Sequence, residues 1–259
     1  MRMQCIRKKV MFARRVLPAP LGSCECVKIV LEQPKYEVDF SEARLSTDQF
    51  VREYNLDNDQ GTLYLIQKFE GDVHCVVWDA ALLLAKYLEK RCLTDGNFLE
   101  GKRVIELGSG LGCVGMVASF YGGHVTLTDL AQAMPLLKLN VRNNQKLLMS
   151  RNKFAAKVEL LDWNEDISLE PCDVLLASDC VYYKESIPGL VKALRTLSTR
   201  STEIYLSQEN RSHSEIQTGV FQEFMKEVNN VFKVEAIPPS EQHEEFRSPD
   251  IYLFRLMKL

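Results

Sequence analysis

The chain has 259 residues, of which 46% are hydrophobic and 26% charged, and its formal net charge is -3. This composition is ordinary for a globular domain, the charge offers no overall attraction for nucleic acid, and no apolar run reaches the roughly 20 residues of a membrane span. None of the eight cysteines forms a Cys-x-x-Cys pair, so we expect no metal site.

The first segment, residues 1–45, differs from the rest. Its first 24 residues contain six basic side chains and no acidic one. This pattern is typical of an organellar transit peptide, but the segment is poor in serine, which favours an irregular basic extension outside the folded domain. We therefore place the domain at 46–259 and expect a cytoplasmic protein; a mitochondrial location is the alternative if the leader is a transit signal.

The regular pattern starts with two short β-type runs, 49–56 and 62–69, separated by a turn-like DNDQG segment that predicts a hairpin. A short extended run, 75–78, follows. Apolar residues at helical spacing then predict a helix with Asp79 as its N-cap.

After Gly101 the chain alternates between strands and helices. We predict helices near 113–121, 131–148, 184–198 and 214–229, and strands at 103–107, 124–130, 157–163, 172–179, 203–209, 232–237 and 251–257. Such alternation is typical of an α/β fold, here a single Rossmann-like domain whose mainly parallel sheet is covered on both faces. No helix pattern separates the last two strands, which predicts an antiparallel final strand.

Two glycine signatures overlap where the first of these strands ends. Glu106 begins a Glu-x-Gly-x-Gly-x-Gly pattern through Gly108 and Gly110, whereas Gly110 also begins a Gly-x-Gly-x-x-Gly pattern ending at Gly115. The first is typical of an S-adenosylmethionine (SAM) site and the second of a nicotinamide dinucleotide site. Asp129 closes the next strand, where its carboxylate could accept both ribose hydroxyls of either cofactor.

Two features favour SAM. Glu106 would lie near the positive amino group and sulfonium of SAM, whereas a pyrophosphate would be repelled by it. Asp162 and Trp163 end the third strand, where a carboxylate and an aromatic face could hold an adenine ring.

Asp179 and Tyr182 indicate the chemistry. Asp179 directly follows the apolar fourth strand, so its carboxylate would lie in the same crevice as the glycine loop. Methyl transfer from a sulfonium needs an aligned, neutral amine shielded from water, which Asp179 could orient while Tyr182 forms an aromatic wall. Alternatively, Asp179 caps the following helix and Tyr182 packs within it. The Asn/Asp-Pro-Pro-aromatic motif of base methyltransferases is absent, so we do not expect nucleic acid as substrate.

Several segments together resemble the seven-strand protein lysine methyltransferases of the methyltransferase-like 21 group. They are CVVWDAALLLAKYLE (75–89), VIELGSGLGCVGMVA (104–118), VTLTDL (125–130), LDW (161–163) and ASDCVYYKESIPGLVKAL (177–194). The tail HEEFRSPDIYL (243–253) is most similar to members acting on valosin-containing protein, a hexameric AAA ATPase chaperone. The resemblance covers about 46–259 and implies a SAM-dependent enzyme acting on a protein lysine.

The resemblance also implies roles for individual residues. Trp78, which its sequence context alone would place in the core, matches a tryptophan that closes over the cofactor. The cofactor loop is matched by Gly108, Ser109 and Gly110, the ribose-binding acid by Asp129 and the adenine-side tryptophan by Trp163. Ser178 stands where close relatives have alanine, and Asp179 to Tyr182 match the Asp-x-x-Tyr motif of the substrate side.

Other functions stay open from the sequence. The same fold could methylate another protein lysine or a small amine, or it could bind chaperones without catalysis. A nicotinamide-dependent oxidoreductase is disfavoured, because no histidine stands at a strand tip as a proton donor and His124 opens a strand instead. We expect a monomer, since nothing in the sequence demands a larger assembly.

Overall fold

The computed structural model describes residues 46–96 and 98–259. The predicted basic extension, 1–45, lies outside the described residues, so it stays a prediction. The elements in chain order are β1 (Gln49–Asn55), β2 (Thr62–Lys68), α1 (Asp79–Thr94), β3 (Arg103–Leu107), α2 (Cys113–Phe120), β4 (His124–Asp129), α3 (Met134–Arg151), β5 (Lys157–Leu160), β6 (Val174–Ser178), α4 (Ile187–Thr196), β7 (Glu203–Glu209), α5 (Glu215–Asn229), β8 (Phe232–Ala236) and β9 (Ile251–Lys258).

Seven strands form one sheet in the order β5-β4-β3-β6-β7-β9-β8. The five from β5 to β7 are parallel, and β9 inserts antiparallel between β7 and β8. The predicted α/β Rossmann-like fold and its antiparallel final strand are therefore confirmed. The chain order reverses between β4 and β6 on either side of β3, and this switch point is where ligands bind in such sheets.

The strand register brings the predicted site together. Leu107, the last residue of β3, lies opposite Thr128 of β4 and Ala177 of β6. The next residue of each strand or loop, including Gly108 and Ser178, consequently meets at one edge of the sheet. Residues far apart in sequence converge there because parallel strands end together.

The sheet is buried on both faces. Alternate residues of β3 point to opposite sides, so Val104 joins a core with α1, α2 and α3, whereas Ile105 joins a core with α4 and α5. The strands therefore read as nearly continuous apolar runs, as expected for a sheet covered by helices on both sides.

The predicted hairpin is present as β1 and β2, which pair only with each other within the described residues. Two asparagines of α3 take the place of a further strand along β2. Asn140 accepts from the Ile66 N–H at 2.7 Å and donates to its carbonyl at 3.1 Å. Asn144 does the same for Tyr64, at 2.8 and 2.9 Å. These amides satisfy backbone groups that would otherwise be buried without partners.

The connection from hairpin to α1 differs from its prediction in two ways. The run 75–78 forms no strand; Val73–Cys75 make a short 3₁₀ turn instead. Trp78, not Asp79, occupies the N-cap position of α1, without a side-chain cap hydrogen bond. Asp79 lies in the first helical turn, where a negative charge interacts favourably with the helix dipole.

Candidate functional site

A cavity of about 340 Å³ opens at the carboxyl ends of the parallel strands. All of the predicted site residues except Glu106 line it: Trp78, Gly108, Ser109, Gly110, Asp129, Trp163, Ser178, Asp179 and Tyr182. The segment before α1, including His74, contributes a further wall that the sequence had not indicated as part of the site.

The glycine loop after β3 approaches the cavity with its backbone. Gly108 and Gly110 have φ of 62° and 53°, a left-handed conformation that favours glycine. A Cβ at Gly108 would lie 2.8 Å from the Cys180 sulfur and 3.4 Å from the ring of Trp163. Only glycine therefore leaves this floor open to a ligand.

Asp129 connects the loop to the end of β4. Its carboxylate accepts hydrogen bonds from the Gly110 N–H and the Leu130 N–H, both at 2.7 Å. Burial raises the pKa of this carboxyl, while the two hydrogen bonds oppose that effect. Each oxygen keeps a further lone pair, so Asp129 can also accept from ribose hydroxyls, as the sequence predicted.

Trp163 provides a test of whether the cavity fits a cofactor. Its indole N–H is buried and has no hydrogen-bond partner among the residues that the structure describes. A buried donor without a partner is costly, and a bound purine offers acceptor nitrogens that would satisfy it. Together with the open floor at Gly108, this orphaned donor fits an adenine-containing cofactor.

Trp78 lies at the rim of the cavity rather than in the core. The residue is 40% exposed, and its indole N–H donates to the Val73 carbonyl at 2.8 Å. The side chain is therefore held over the cavity mouth with much of its face accessible. The family resemblance, and not its own sequence context, indicated this position.

Glu106 is the predicted residue that the structure places elsewhere. It shares the Val104 face of β3, so its carboxyl lies beneath the glycine loop, 1% exposed, and accepts from the Gly115 N–H at 3.0 Å. Burial raises its pKa to about 8, so it is neutral at pH 7. A neutral group outside the cavity does not supply the negative charge that the sequence argument assigned to it.

Asp179 has a strained backbone, and its carboxylate accepts several hydrogen bonds from neighbouring side chains. Its φ of 53° is left-handed, which costs a non-glycine residue roughly 1–2 kcal/mol. Oδ1 accepts from Gln208 at 2.8 Å and from Arg211 at 2.9 Å, and Oδ2 accepts from the second Arg211 nitrogen. Asp179 thus does not cap α4, which begins only at Ile187.

Arg211 was missed by the sequence analysis. It lies in the loop after β7, and its side chain is 17% exposed against 4% for Asp179. An arginine just beyond the carboxyl end of a central strand was the available signal, because that edge carries the ligand site.

The aromatic pair after Asp179 forms another wall. The rings of Tyr182 and Tyr183 are 4.6 Å apart in an edge-on arrangement. Burial raises the pKa of the Tyr182 hydroxyl, so it stays neutral and does not serve as a base. Burial also raises the pKa of the Cys180 thiol, which donates to the Leu107 carbonyl at 3.3 Å and packs as a small core residue.

Comparison with known proteins decides the family. The profile of a family described as "Lysine methyltransferase" matches residues 57–230. The chain belongs to this family.

Similar proteins are consistent with the assignment. "Protein N-lysine methyltransferase METTL21A" of Danio rerio is 36% identical over 189 residues, 72% of this chain and 78% of that relative. "EEF1A lysine methyltransferase 3" of Mus musculus is 34% identical over 181 residues, 68% and 74% of the two chains. The protein is a SAM-dependent protein lysine methyltransferase of the methyltransferase-like 21 type.

The structure of the glycopeptide N-methyltransferase MtfA with S-adenosylhomocysteine is similar at a TM-score of 0.50 and 12% identity, covering 68% of this chain and 90% of that one. At this identity the likeness shows the fold alone.

The residues divide the work of methyl transfer. SAM, when bound, supplies a methyl group activated by the positive sulfur. Asp129 and the glycine loop would hold its ribose side, and Trp163 its adenine side. Asp179 would accept hydrogen bonds from the incoming amine, and Trp78 and Tyr182 would exclude water around it. Alignment and desolvation are the main contributions that such a displacement needs from the protein.

Within the described ranges there is no group of three or more His, Cys, Asp or Glu side chains that could hold a metal ion. Across the same ranges, no helix is long and apolar enough to cross a membrane.

Proposed function

We propose that this lysine methyltransferase modifies a lysine on a folded AAA ATPase chaperone of the valosin-containing-protein type. The choice of substrate rests on the tail HEEFRSPDIYL, 243–253, which resembles the corresponding segment of the family members acting on that chaperone. The enzyme acts in the cytoplasm, where such a chaperone is found, and as a monomer.

The rim of the cavity supports a protein substrate over free lysine. Trp78 and Tyr183, 40% and 59% exposed, flank the mouth where the target lysine would enter. Partly exposed aromatic side chains are enriched at protein interfaces, because they bury much area on docking. A free amino acid would leave these faces uncovered.

The tail packs against other parts of the fold and not against the cavity. His243 contacts Asp57 at 3.2 Å, and Lys90 of α1 donates to the Gln242 carbonyl at 2.7 Å. Neither Glu244 nor Glu245 is among the residues that line the cavity. The tail therefore supports the proposal as a family signature, and not as an acidic guide for lysine.

The direct test uses purified enzyme with radiolabelled SAM. Hexamers of the chaperone, purified EEF1A, free lysine and a cell extract are offered in parallel, and labelled bands are mapped by mass spectrometry. We expect one methylated lysine in the chaperone and none of the other purified substrates labelled. EEF1A is included because a relative carries that substrate in its name; label on EEF1A alone would refute the chaperone proposal and establish this second candidate.

The variant Asp179→Asn tests whether the carboxylate of Asp179 takes part in methyl transfer. It removes the carboxylate that accepts from the amine while leaving Asp129 and Trp163 intact. We expect kcat to fall about 100-fold, with the affinity for S-adenosylhomocysteine within about threefold of wild type. Full turnover by this variant would remove Asp179 from the mechanism.

A further inference from the structure

Asp179 needs something to hold it in its unusual conformation. Among the described residues it is the one non-glycine residue with positive φ outside the hairpin turn, where Asn58 and Asp59 are the others. Its own N–H donates to the Ser207 carbonyl at 2.8 Å, which fixes the backbone on one side only. Strained residues of this kind persist where the surroundings over-determine them.

The surroundings that hold the carboxylate come from one short segment, 208–211. Gln208 donates to Oδ1 at 2.8 Å and the Glu209 N–H at 3.3 Å. Arg211 uses both terminal nitrogens, one on each oxygen. Such a two-point fork fixes the plane of the carboxylate as well as its position.

Arg211 also contacts the rim of the cavity. Its guanidinium carbon lies 5.9 Å from the centre of the Trp78 ring, and a terminal nitrogen lies 2.9 Å from Glu209. One cation therefore contacts both the acid of the substrate side and the tryptophan of the rim. Neither contact is needed to hold the sheet, because the β7–β9 ladder is already formed by backbone hydrogen bonds.

We propose that Arg211 is a positioning residue for methyl transfer: it aims the Asp179 carboxylate at the substrate amine and sets the charge that this amine meets. The proposal rests on the proposed function, since a lysine must enter beside Asp179. Asp179, Glu209 and Arg211 together carry one net negative charge. Without Arg211 the group would carry two, which would favour the protonated and unreactive form of the lysine.

This charge effect predicts a shift in the pH profile. The reactive amine is neutral, so kcat rises as pH passes the pKa of the bound lysine. A positive charge roughly 6 Å away, partly screened, lowers such a pKa by about one unit. Losing it would move the rising limb to higher pH by that amount. The ionisable side chains lining the cavity are Asp72, His74, Cys113, Asp129, Asp162, Asp179, Cys180, Tyr182 and Tyr183; every variant below retains them.

Three variants separate charge, geometry and general damage. R211Q removes both the positive charge and the two-point hydrogen bonding to Asp179. The rising limb of the profile of kcat against pH should therefore move to higher pH by about one unit, and the rate at neutral pH should fall tenfold or more. R211K keeps the charge but loses the fork, so the rate should fall about tenfold with the limb unmoved. R255Q is the matched control: Arg255 pairs with Glu203 at 3.4 Å on the same sheet, and its partners among the described residues, Glu203 and Tyr205, do not include Asp179 or Trp78. Its profile should be that of wild type.

A binding measurement tests the same idea without turnover. Sinefungin carries an amino group in place of the methylated sulfur of SAM, whereas S-adenosylhomocysteine has no charge there. Calorimetry at pH 7 should show that R211Q raises the preference for sinefungin over S-adenosylhomocysteine about tenfold, while R255Q leaves the ratio unchanged.

The outcomes distinguish the two proposals. An unmoved limb and an unchanged sinefungin ratio in R211Q would overturn the role of Arg211, whatever the substrate is. A raised ratio in R211Q, combined with no lysine labelling by the wild-type enzyme, would support the charge role of Arg211 and reject the proposed function.

Discussion

Three glycine-to-alanine changes test how the loop floor is built, because the structure assigns each a different penalty. At Gly108 the backbone is left-handed and an added Cβ would lie 2.8 Å from the Cys180 sulfur. At Gly110 the backbone is left-handed too, but the nearest heavy atom is 3.9 Å away. At Gly219, within α5, nothing lies within 4 Å and the backbone is helical.

The expected free energies of unfolding follow from these differences. G110A should destabilise by about 1–2 kcal/mol from backbone strain alone. G108A adds overpacking of about 1–3 kcal/mol, giving a total of roughly 2–5 kcal/mol. G219A should stabilise by about 0.5–1 kcal/mol, because alanine is the better helix former.

Urea denaturation of the three variants measures their free energies of unfolding. Calorimetric titration with S-adenosylhomocysteine measures whether the loop still binds the cofactor product. The double variant G108A/C180A should recover the overpacking part and keep the strain part, since the second substitution removes the sulfur that would meet the new methyl group. Equal stabilities of G108A and G110A, or wild-type cofactor affinity in G108A, would refute the reasoning that Cys180 and the left-handed backbone together require glycine.

Three further changes test other parts of the structure. N140A leaves the Ile66 N–H and carbonyl without their partners, so denaturation should show a loss of about 2–4 kcal/mol; a loss below about 0.5 kcal/mol would mean that water replaces the amide. Glu106 has a folded pKa raised to about 8 by burial, against an unfolded value near 4.5. The folded state holds a proton that the unfolded state has released, so wild-type stability should fall as pH rises from about 5 to 8, and E106Q should lack this slope; parallel profiles would contradict a neutral Glu106. W163F replaces the indole with a smaller phenyl ring, which keeps an aromatic face but removes the unpaired N–H, so the affinity for S-adenosylhomocysteine should fall about 3–10-fold, and unchanged binding would show that the cofactor does not use this donor.

The sequence predicted the strand-and-helix order and most of the site for one physical reason. Central parallel strands are apolar on both faces, and the polar residue that ends or follows each one lies at a common edge. Asp129 and Asp179 are such residues, and so they could be placed beside Gly108 before any coordinates. The alternation along β3 should also have placed Glu106 with Val104, facing α2; the glycine motif concealed that simpler argument.

The parts that sequence could not supply depend on contacts between distant segments. The position of Arg211 after β7 indicated the ligand edge, but Arg211 follows Asp179 by 32 residues, and no spacing rule predicts that this base pairs with that acid. Trp78 has the context of a core residue, yet it is exposed because Val73 and the preceding 3₁₀ turn hold it at the rim. Tertiary context of this kind overrides local pattern.

The hairpin outside the main sheet has a consequence for the site. Gln67, at the end of β2, is 3% exposed, and its side-chain oxygen accepts from the Val77 N–H at 2.7 Å. This bond fixes the residue directly before Trp78, and Asn140 fixes β2 itself against α3. Since α3 follows β4, whose last residue is Asp129, the segment before Trp78 and the ribose side are connected through these two buried hydrogen bonds and the chain between β4 and α3. The hairpin thus supports the segment before Trp78 from outside the cavity, since no residue of β1 or β2 is among those that line it.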